Sequence, residues 1–185
     1  MDRRQRKTRE AVFSAFSELL SEKNVSHITV GEIIERADIG RATFYSHFET
    51  KDFLLKELCE ELFCHIFDSV GGGVNGHRHI FDCDAPDSVF LHLLQHIKKN
   101  DNNILRLLSC QNNETFLRYF KDGLIKLTEN YCFIDKEEPC IPRDLQLKYI
   151  SSTFVEVVKW WIDNRMKQSP EEIACYFYSL TGYGK

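Results

Sequence analysis

No apolar run in this 185-residue sequence approaches the roughly 20 residues that cross a bilayer. The first residues are polar and basic, with no hydrophobic stretch of the kind that opens a secretion signal. The expectation is a soluble, cytoplasmic protein with no membrane partner. Internal repeats and low-complexity segments are missing as well. Cysteine is present but unpatterned: Cys59, Cys64, Cys83, Cys110, Cys132, Cys140 and Cys175 form no CxxC pair and no regular framework. That argues against a disulfide scaffold and against the usual zinc spacings. It leaves thiols that act as small apolar side chains in a reducing compartment, or a redox sensor if one is exposed with a lowered pKa.

Catalytic signatures are lacking too. There is no nucleophile elbow, no HExxH and no convincing pair of carboxylates. Gly71-Gly72-Gly73 follows a helical stretch and not a strand, so it is no nucleotide loop. A protein that is not an enzyme, with no cofactor, is expected. An excess of basic charge is also missing: 24 Lys and Arg stand against 28 Asp and Glu, a net charge of −4. A diffuse basic coat is excluded, so any contact with nucleic acid must be local. The local candidate is the cluster Arg3, Arg4, Arg6, Lys7 and Arg9, at the opening of a first helix expected from about Thr8 to Ser21. Such an arm can follow phosphates or enter a minor groove; the alternative is a solvated tail.

What is there is helix. The sequence is 43% hydrophobic and 12% aromatic, ample for a core. Val12, Ala15, Phe16, Leu19 and Leu20 recur at helical spacing. The organising stretch is Ile28 to Phe48. Thr29 and Glu32 form a capping box for a short helix from Val30 to Ala37. Asp38-Ile39-Gly40 breaks the pattern with residues that tolerate a tight turn. A second short helix follows from Arg41 to Ser46 or His47, with Phe44 and Phe48 as anchors four apart. Arg41, Ala42, Thr43, Tyr45 and Ser46 are left facing outward. A short helix with a polar outer face, set against another across a tight turn, is a helix-turn-helix, whose second helix enters the DNA major groove. Arg pairs with guanine edges, Thr and Tyr hydroxyls reach phosphates, and Ala meets a thymine methyl. An ordinary helical hairpin is the competing reading.

The run T-V-G-E-I-I-E-R-A, the turn, and R-A-T-F-Y-S-H-F-E-T-K-D-F-L-L resemble the DNA-binding domain of the TetR family of bacterial transcriptional regulators, from about Lys7 to Leu55. Thr43 to Lys51 carries the T-F-Y-x-H-F-x-x-K core. Two positions depart from the family pattern. Asp38 stands where Gly is common in the turn. Gly40 stands where Ser or Thr often opens the second helix, which removes one hydroxyl able to contact a phosphate. The resemblance implies an all-α fold in two parts. Residues 1–50 make a three-helix DNA-binding domain. Residues 51–185 make a helical bundle for ligand binding and dimerisation, and helix 51–70 is shared. The expected DNA-contacting set is Arg4, Lys7, Thr29, Arg41, Ala42, Thr43, Tyr45, Ser46, His47 and Lys51. Lys51, in the first turn of its helix, is suited to a phosphate.

The rest of the chain reads as further helices. Leu54, Leu55, Leu58, Leu62 and Ile66 line one seam of helix 51–70, and Phe63 and Phe67 a second. A loop to about Ala85 holds His77, His79, Asp82, Cys83 and Asp84, metal-ligand types in no metal-binding spacing. From Pro86 the pattern is helical again. His92 and His96 lie four apart, where two imidazoles could share a metal, but no third ligand can be named and no metal is expected. Asn113 caps a helix, a loop carries Pro139 and Pro142, and a helix runs from Arg143 to Asn164. Ser169-Pro170-Glu171-Glu172 opens the last helix with a second capping box. Phe63, Phe67, Phe90, Phe116, Tyr119 and Phe120 supply either a greasy ligand pocket or plain core. By the resemblance, Phe154, Val157, Val158, Trp161, Tyr176, Phe177 and Leu180 of the last two helices form a dimer interface. The implied function is a homodimeric regulator, most often a repressor, that reads a palindromic double-stranded operator and is released by a small-molecule effector. A non-catalytic co-regulator that acts through a protein partner and binds DNA weakly is the second reading.

Overall fold

The computed structural model describes residues 3–70, 88–99, 103–109, 114–131 and 141–182. These residues are helical: α1 (Arg3–Glu22), α2 (Val30–Arg36), α3 (Arg41–His47), α4 (Lys51–Val70), α5 (Val89–Lys99), α6 (Ile104–Ser109), α7 (Glu114–Tyr131), α8 (Arg143–Asp163) and α9 (Pro170–Thr181), with one 3-10 turn at Val25–His27. The loop expected from Gly71 to Ala85, with His77, His79, Asp82, Cys83 and Asp84, lies outside the described residues. So do Pro86, Cys110, Asn113, Cys132, Pro139 and Cys140.

Helix α1 starts at Arg3, five residues before the expected start at Thr8. Arg3, Arg4, Arg6 and Lys7 are not an arm before the helix but its exposed opening turns. The reason is intrinsic preference: Arg, Gln and Lys are strong helix formers and need no packing to stay helical at a surface. Further along, Val12, Phe13, Phe16, Leu19 and Leu20 turn inward onto Ile33, Phe44 and Phe48. Burying the rings of Phe44 and Phe48 contributes up to about 1.5–3 kcal/mol each.

Helix α4 belongs to both halves. Its first turns hold Leu54 and Leu55 against the α1–α3 unit, and its later turns pack on α7. That packing is unusually close. A Cβ placed on Gly123 of α7 would stand 2.2 Å from the Phe63 ring. Glycine inside a helix costs roughly 0.5–1 kcal/mol relative to Ala, and the cost is offset by letting the Phe63 ring lie on the α7 backbone.

Helices α8 and α9 form an antiparallel pair closed by a well-specified turn. Met166 N–H donates to the Trp161 carbonyl and Arg165 N–H to the Ile162 carbonyl, both at 2.9 Å, which is a Schellman ending. Lys98, from the end of α5, donates to the carbonyls of Met166 at 2.7 Å and Gln168 at 2.9 Å, and its ammonium lies 5.2 Å from the Trp161 ring centre. The Ser169–Glu172 capping box then starts α9 as its residues require.

Candidate nucleic-acid interface

The α2–turn–α3 unit is specified at each joint. Thr29 N–H donates to Glu32 Oε2 at 2.9 Å, and Glu32 N–H donates to Thr29 Oγ1 at 3.3 Å. Lys23 also pairs with Glu32. That ammonium, with the Thr29 bonds behind it, holds the Glu32 carboxyl down at about 2. At the other end of α2, Ile39 N–H donates to the Ile34 carbonyl and Asp38 N–H to the Glu35 carbonyl, both at 3.2 Å. This too is a Schellman ending, with Asp38 in the left-handed position at φ 51°. Asp tolerates that position better than most residues. Arg36 grips Glu22 of α1 with two bonds, 2.8 and 3.1 Å, so α2 is fixed to α1.

Helix α3 then shows Arg41, Ala42, Thr43 and Tyr45 to solvent while Phe44 is fully buried. The Tyr45 ring stands edge-on to Phe44 at 5.5 Å, which orients its hydroxyl outward. Ser46 is exposed, but its hydroxyl donates to the Thr43 carbonyl at 2.8 Å. His47 is half-buried with its ring 6.2 Å from that of Phe48. Gly40 opens α3 with no side-chain cap, and a Cβ there meets only Thr43 Oγ1 at 3.7 Å. A Ser would fit, so the missing hydroxyl is not a steric requirement.

Three basic or hydroxyl residues have tasks inside the protein, and the sequence revealed only the first. The Thr29 hydroxyl belongs to the capping box. Lys51 donates to the carbonyls of Val25 at 2.8 Å and Ile28 at 3.0 Å, so two of its three N–H donors hold the 3-10 turn against the start of α4. Arg9 donates to Glu57 of α4 at 2.6 Å and lies over the rings of Phe13 and Phe48 at 5.5 and 5.4 Å. It is a clasp between α1 and α4 and sets the start of α1 beside the end of α3. Arg4 and Lys7 remain exposed there, at a helix N-terminus with no acidic residue in its first turn. Cations at the positive end of a helix dipole are unfavourable, and an anion placed there relieves both.

The opposite end of the molecule is apolar. Of the exposed large hydrophobic residues, Leu145, Tyr149, Trp160, Tyr176 and Leu180 all lie on α8 or α9. A groove of about 930 Å³ runs between those helices, lined by Tyr149, Thr153, Val157, Trp160, Tyr176 and Leu180 among others. Of the expected interface residues, Val157, Tyr176 and Leu180 lie in this groove. Phe154, Val158, Trp161 and Phe177 do not: each is fully buried within its own chain. Adjacent residues on a helix point about 100° apart, so Trp161 enters the core and Trp160 faces out.

The six aromatics expected to gather at one pocket fall into two groups. Phe63, Phe116 and Phe120 pack together between α4 and α7, with Phe67 stacked on Tyr131 and Tyr119 at the edge. Phe90 instead meets Phe154 and Phe177, at 5.6 and 4.8 Å.

His92 and His96 do share a face of α5, with their Nε2 atoms 3.1 Å apart. Their third neighbour is His65 of α4, whose ring centre lies 5.1 Å from that of His92 and 4.9 Å from that of His96. The signal in the sequence was a histidine three residues after Leu62 and seven after Leu58, on the apolar seam. Burial, then His96, His65 and Lys99, push the His92 imidazole down to about 4. Of the cysteines described, Cys59 is pushed up by burial, and Cys64 by burial and then the nearby Glu61, Asp68 and Glu60. Neither has the lowered pKa a redox sensor needs.

The comparisons with known proteins agree with this geometry. The family described as bacterial regulatory proteins, tetR family, matches residues 13–58, and the one described as transcriptional regulator C-terminal region matches residues 84–182. The uncharacterized HTH-type transcriptional regulator YxbF of Bacillus subtilis (strain 168) is 24% identical over 187 residues, 96% of this chain and 45% of that protein. YvdT of the same strain, also an uncharacterized HTH-type transcriptional regulator, is 30% identical over 67 residues, 36% of this chain and 34% of that protein. The chain thus spans less than half the length of these curated relatives. The crystal structure of a TetR transcriptional regulator from Streptococcus agalactiae 2603V is 34% identical, with a TM-score of 0.70 over 97% of this chain and 96% of that one.

Proposed function

The chain belongs to the TetR family of bacterial transcriptional regulators, and on that premise we propose that it is a cytoplasmic homodimeric repressor that reads a palindromic operator and leaves it when a small molecule binds. The observation that carries the DNA half is the outward face of α3. Arg41, Ala42, Thr43 and Tyr45 stand clear of the protein on a helix fixed at both ends, beside the exposed Arg4 and Lys7 at the start of α1. One such helix reads few base pairs. Two related by a dyad read two half-sites a whole number of turns apart.

The exposed rings along α8 and α9 support the dimer, since an apolar groove of this length on a lone chain leaves much surface in water. Pairing there leaves α3 and α1 of each chain clear for DNA. The effector site we place among Phe63, Phe67, Phe116, Tyr119 and Phe120, where α4 meets α7. A ligand wedged there favours one setting of α4, and release follows from its unequal affinity for the two settings.

The test is selection of duplex DNA from a random pool by the purified protein, followed by affinity for the winners at two salt concentrations. An enriched inverted repeat, with affinity that falls steeply in salt and is lost with Tyr45→Ala, is the expected result. No enriched sequence from a folded dimer would transfer the assignment to a co-regulator that works through a protein partner.

A further inference from the structure

Three imidazoles converge between α4 and α5. His65 comes from α4, and His92 and His96 from successive turns of α5. One ring nitrogen from each lies within 4.8 Å of the others, and the Nε2 atoms of His92 and His96 are 3.1 Å apart. His92 is 0% exposed, His96 1% and His65 9%. Their sequence neighbours Leu62, Ile66, Leu93 and Ile97 are core residues. Packing alone calls for leucines here, because a buried imidazole gives up hydration that an apolar side chain never had. Placing three together implies a use for their nitrogens.

Geometry says what that use is. In a tetrahedral site with metal–nitrogen bonds of about 2.0–2.1 Å, ligand nitrogens stand about 3.3–3.4 Å apart. The His92–His96 pair already has nearly that spacing. Bringing His65 into place needs its nitrogen to approach by at most about 1.5 Å, within reach of a small ring rotation. Among the described residues the donor set is all imidazole, with no carboxylate in the cluster. Hard ions such as calcium and magnesium require oxygen, while zinc, copper and nickel accept neutral imidazole. We infer that His65, His92 and His96 form a three-imidazole site for a divalent transition ion, with zinc the best-matched occupant and a fourth position left for water or an exogenous donor.

The site joins the helix that carries the DNA-reading unit to the body of the protein. An ion that draws His65 toward α5 therefore acts on α4, and alters operator affinity. That consequence rests on the function proposed above, but the binding of the ion does not.

The experiment uses the full-length protein, stripped with a chelator and titrated with Co(II), then with Zn(II) in competition. The expected result is one Co(II) per chain with a visible absorption band of tetrahedral intensity, displaced by Zn(II). His65→Leu and His96→Leu should each weaken binding by on the order of 100-fold or more, the upper range reached by outer-shell changes alone. His96→Cys keeps a donor and should add a sulfur-to-cobalt charge-transfer band, which guards against a variant that merely fails to fold. Circular dichroism and melting establish folding in each case. A folded wild type that binds no Co(II) overturns the site. So does undiminished binding in folded His65→Leu and His96→Leu, which would put the ion elsewhere, for instance on the exposed Cys64 or Cys175. In a separate arm, Zn(II) should change operator affinity at fixed salt by about 5-fold or more in wild type, the lower range of allosteric coupling, and not in His65→Leu. An unchanged affinity with the ion bound overturns the coupling. Failure to find any operator while Co(II) binding is intact overturns the functional reading and not the metal site.

Discussion

The protein shows two faces to partners, and they are made in opposite ways. The α3 face is polar, with Tyr45 as the one exposed large hydrophobic residue among the described residues of the α1–α3 unit. It is presented by buried anchors and by caps and bonds at each turn. Its side chains are well solvated alone, so display costs little and awaits an anionic partner. The α8–α9 face is apolar, with Tyr149, Trp160, Tyr176 and Leu180 at 42–59% exposure. Keeping it in water is unfavourable, and covering it is favourable without any specific charge. On the proposed function, the first is a recognition face built for choice and the second an assembly face built for permanence.

The largest expected effect breaks the assembly face. Trp160→Asp with Leu180→Asp puts two carboxylates into the groove and should weaken self-association by about 4 kcal/mol or more, on hot-spot magnitudes of at least 2 kcal/mol each. Sedimentation velocity should show monomers at concentrations where wild type is dimeric, with helicity unchanged. The neighbouring tryptophan sharpens the contrast. Trp161→Ala empties the core and loses the bond from its indole N–H to the Gln168 carbonyl, 3.1 Å. It should cost about 3–5 kcal/mol of folding stability in chemical denaturation, whereas Trp160→Ala should cost little there.

On the recognition face the effects are smaller and differ in kind. Arg41→Ala should cost about 1–3 kcal/mol against the preferred operator and relax choice at one position of each half-site. Binding to a panel of single-base operator variants reads this out. Lys51→Met should lower affinity for all DNA alike, and because two carbonyls lose their donor it should also lower the melting temperature, by roughly 1 kcal/mol of stability. A Lys51→Met protein with normal stability would mean that the bonds to Val25 and Ile28 contribute nothing. The smallest effect concerns Glu32. Its carboxyl is held near 2 against an ordinary value of 4.5. A depressed carboxylate stabilises the fold fully above the ordinary value, and the contribution disappears as pH falls toward 2. The melting temperature of Glu32→Gln should therefore sit slightly below wild type near neutral pH, and the two should converge in acid.

What was legible in the sequence was local. Caps announce helix ends through residues three apart, so the Thr29–Glu32 and Ser169–Glu172 boxes set the starts of α2 and α9 correctly; at α4 the Thr50 hydroxyl likewise accepts from Phe53 N–H. The outward set Arg41, Ala42, Thr43 and Tyr45 followed from helical period alone. What was not legible depends on direction or on distant chain. Helical spacing puts Trp161 in series with Phe154, Val157 and Val158, but it does not say whether that series is covered by the same chain or by a second copy. The basic run at the N-terminus reads as charge, while its helicity comes from propensity. Lys51 and Arg9 found partners 23 to 48 residues away, on carbonyls and carboxylates that no spacing rule identifies. His65 is 27 residues before His92, and only the packing of α4 on α5 makes them neighbours.

The contact of Phe63 with Gly123 gives α4 a fulcrum. With a rise of 1.5 Å per residue, the arm from Phe63 to Lys51 is about 18 Å and that from Phe63 to His65 about 3 Å, a mechanical advantage of roughly six. Were α4 to turn about that point as a rigid rod, a half-ångström adjustment at His65 would arrive at Lys51 as about 3 Å of travel, close to the rise of one base pair, about 3.4 Å. Arg9 fastens α1 to α4 and Arg36 fastens α2 to α1, so the α1–α3 unit would follow such a turn as the load on that arm. Leverage of this kind works both ways: it magnifies small displacements near the pivot and demands proportionally large forces there.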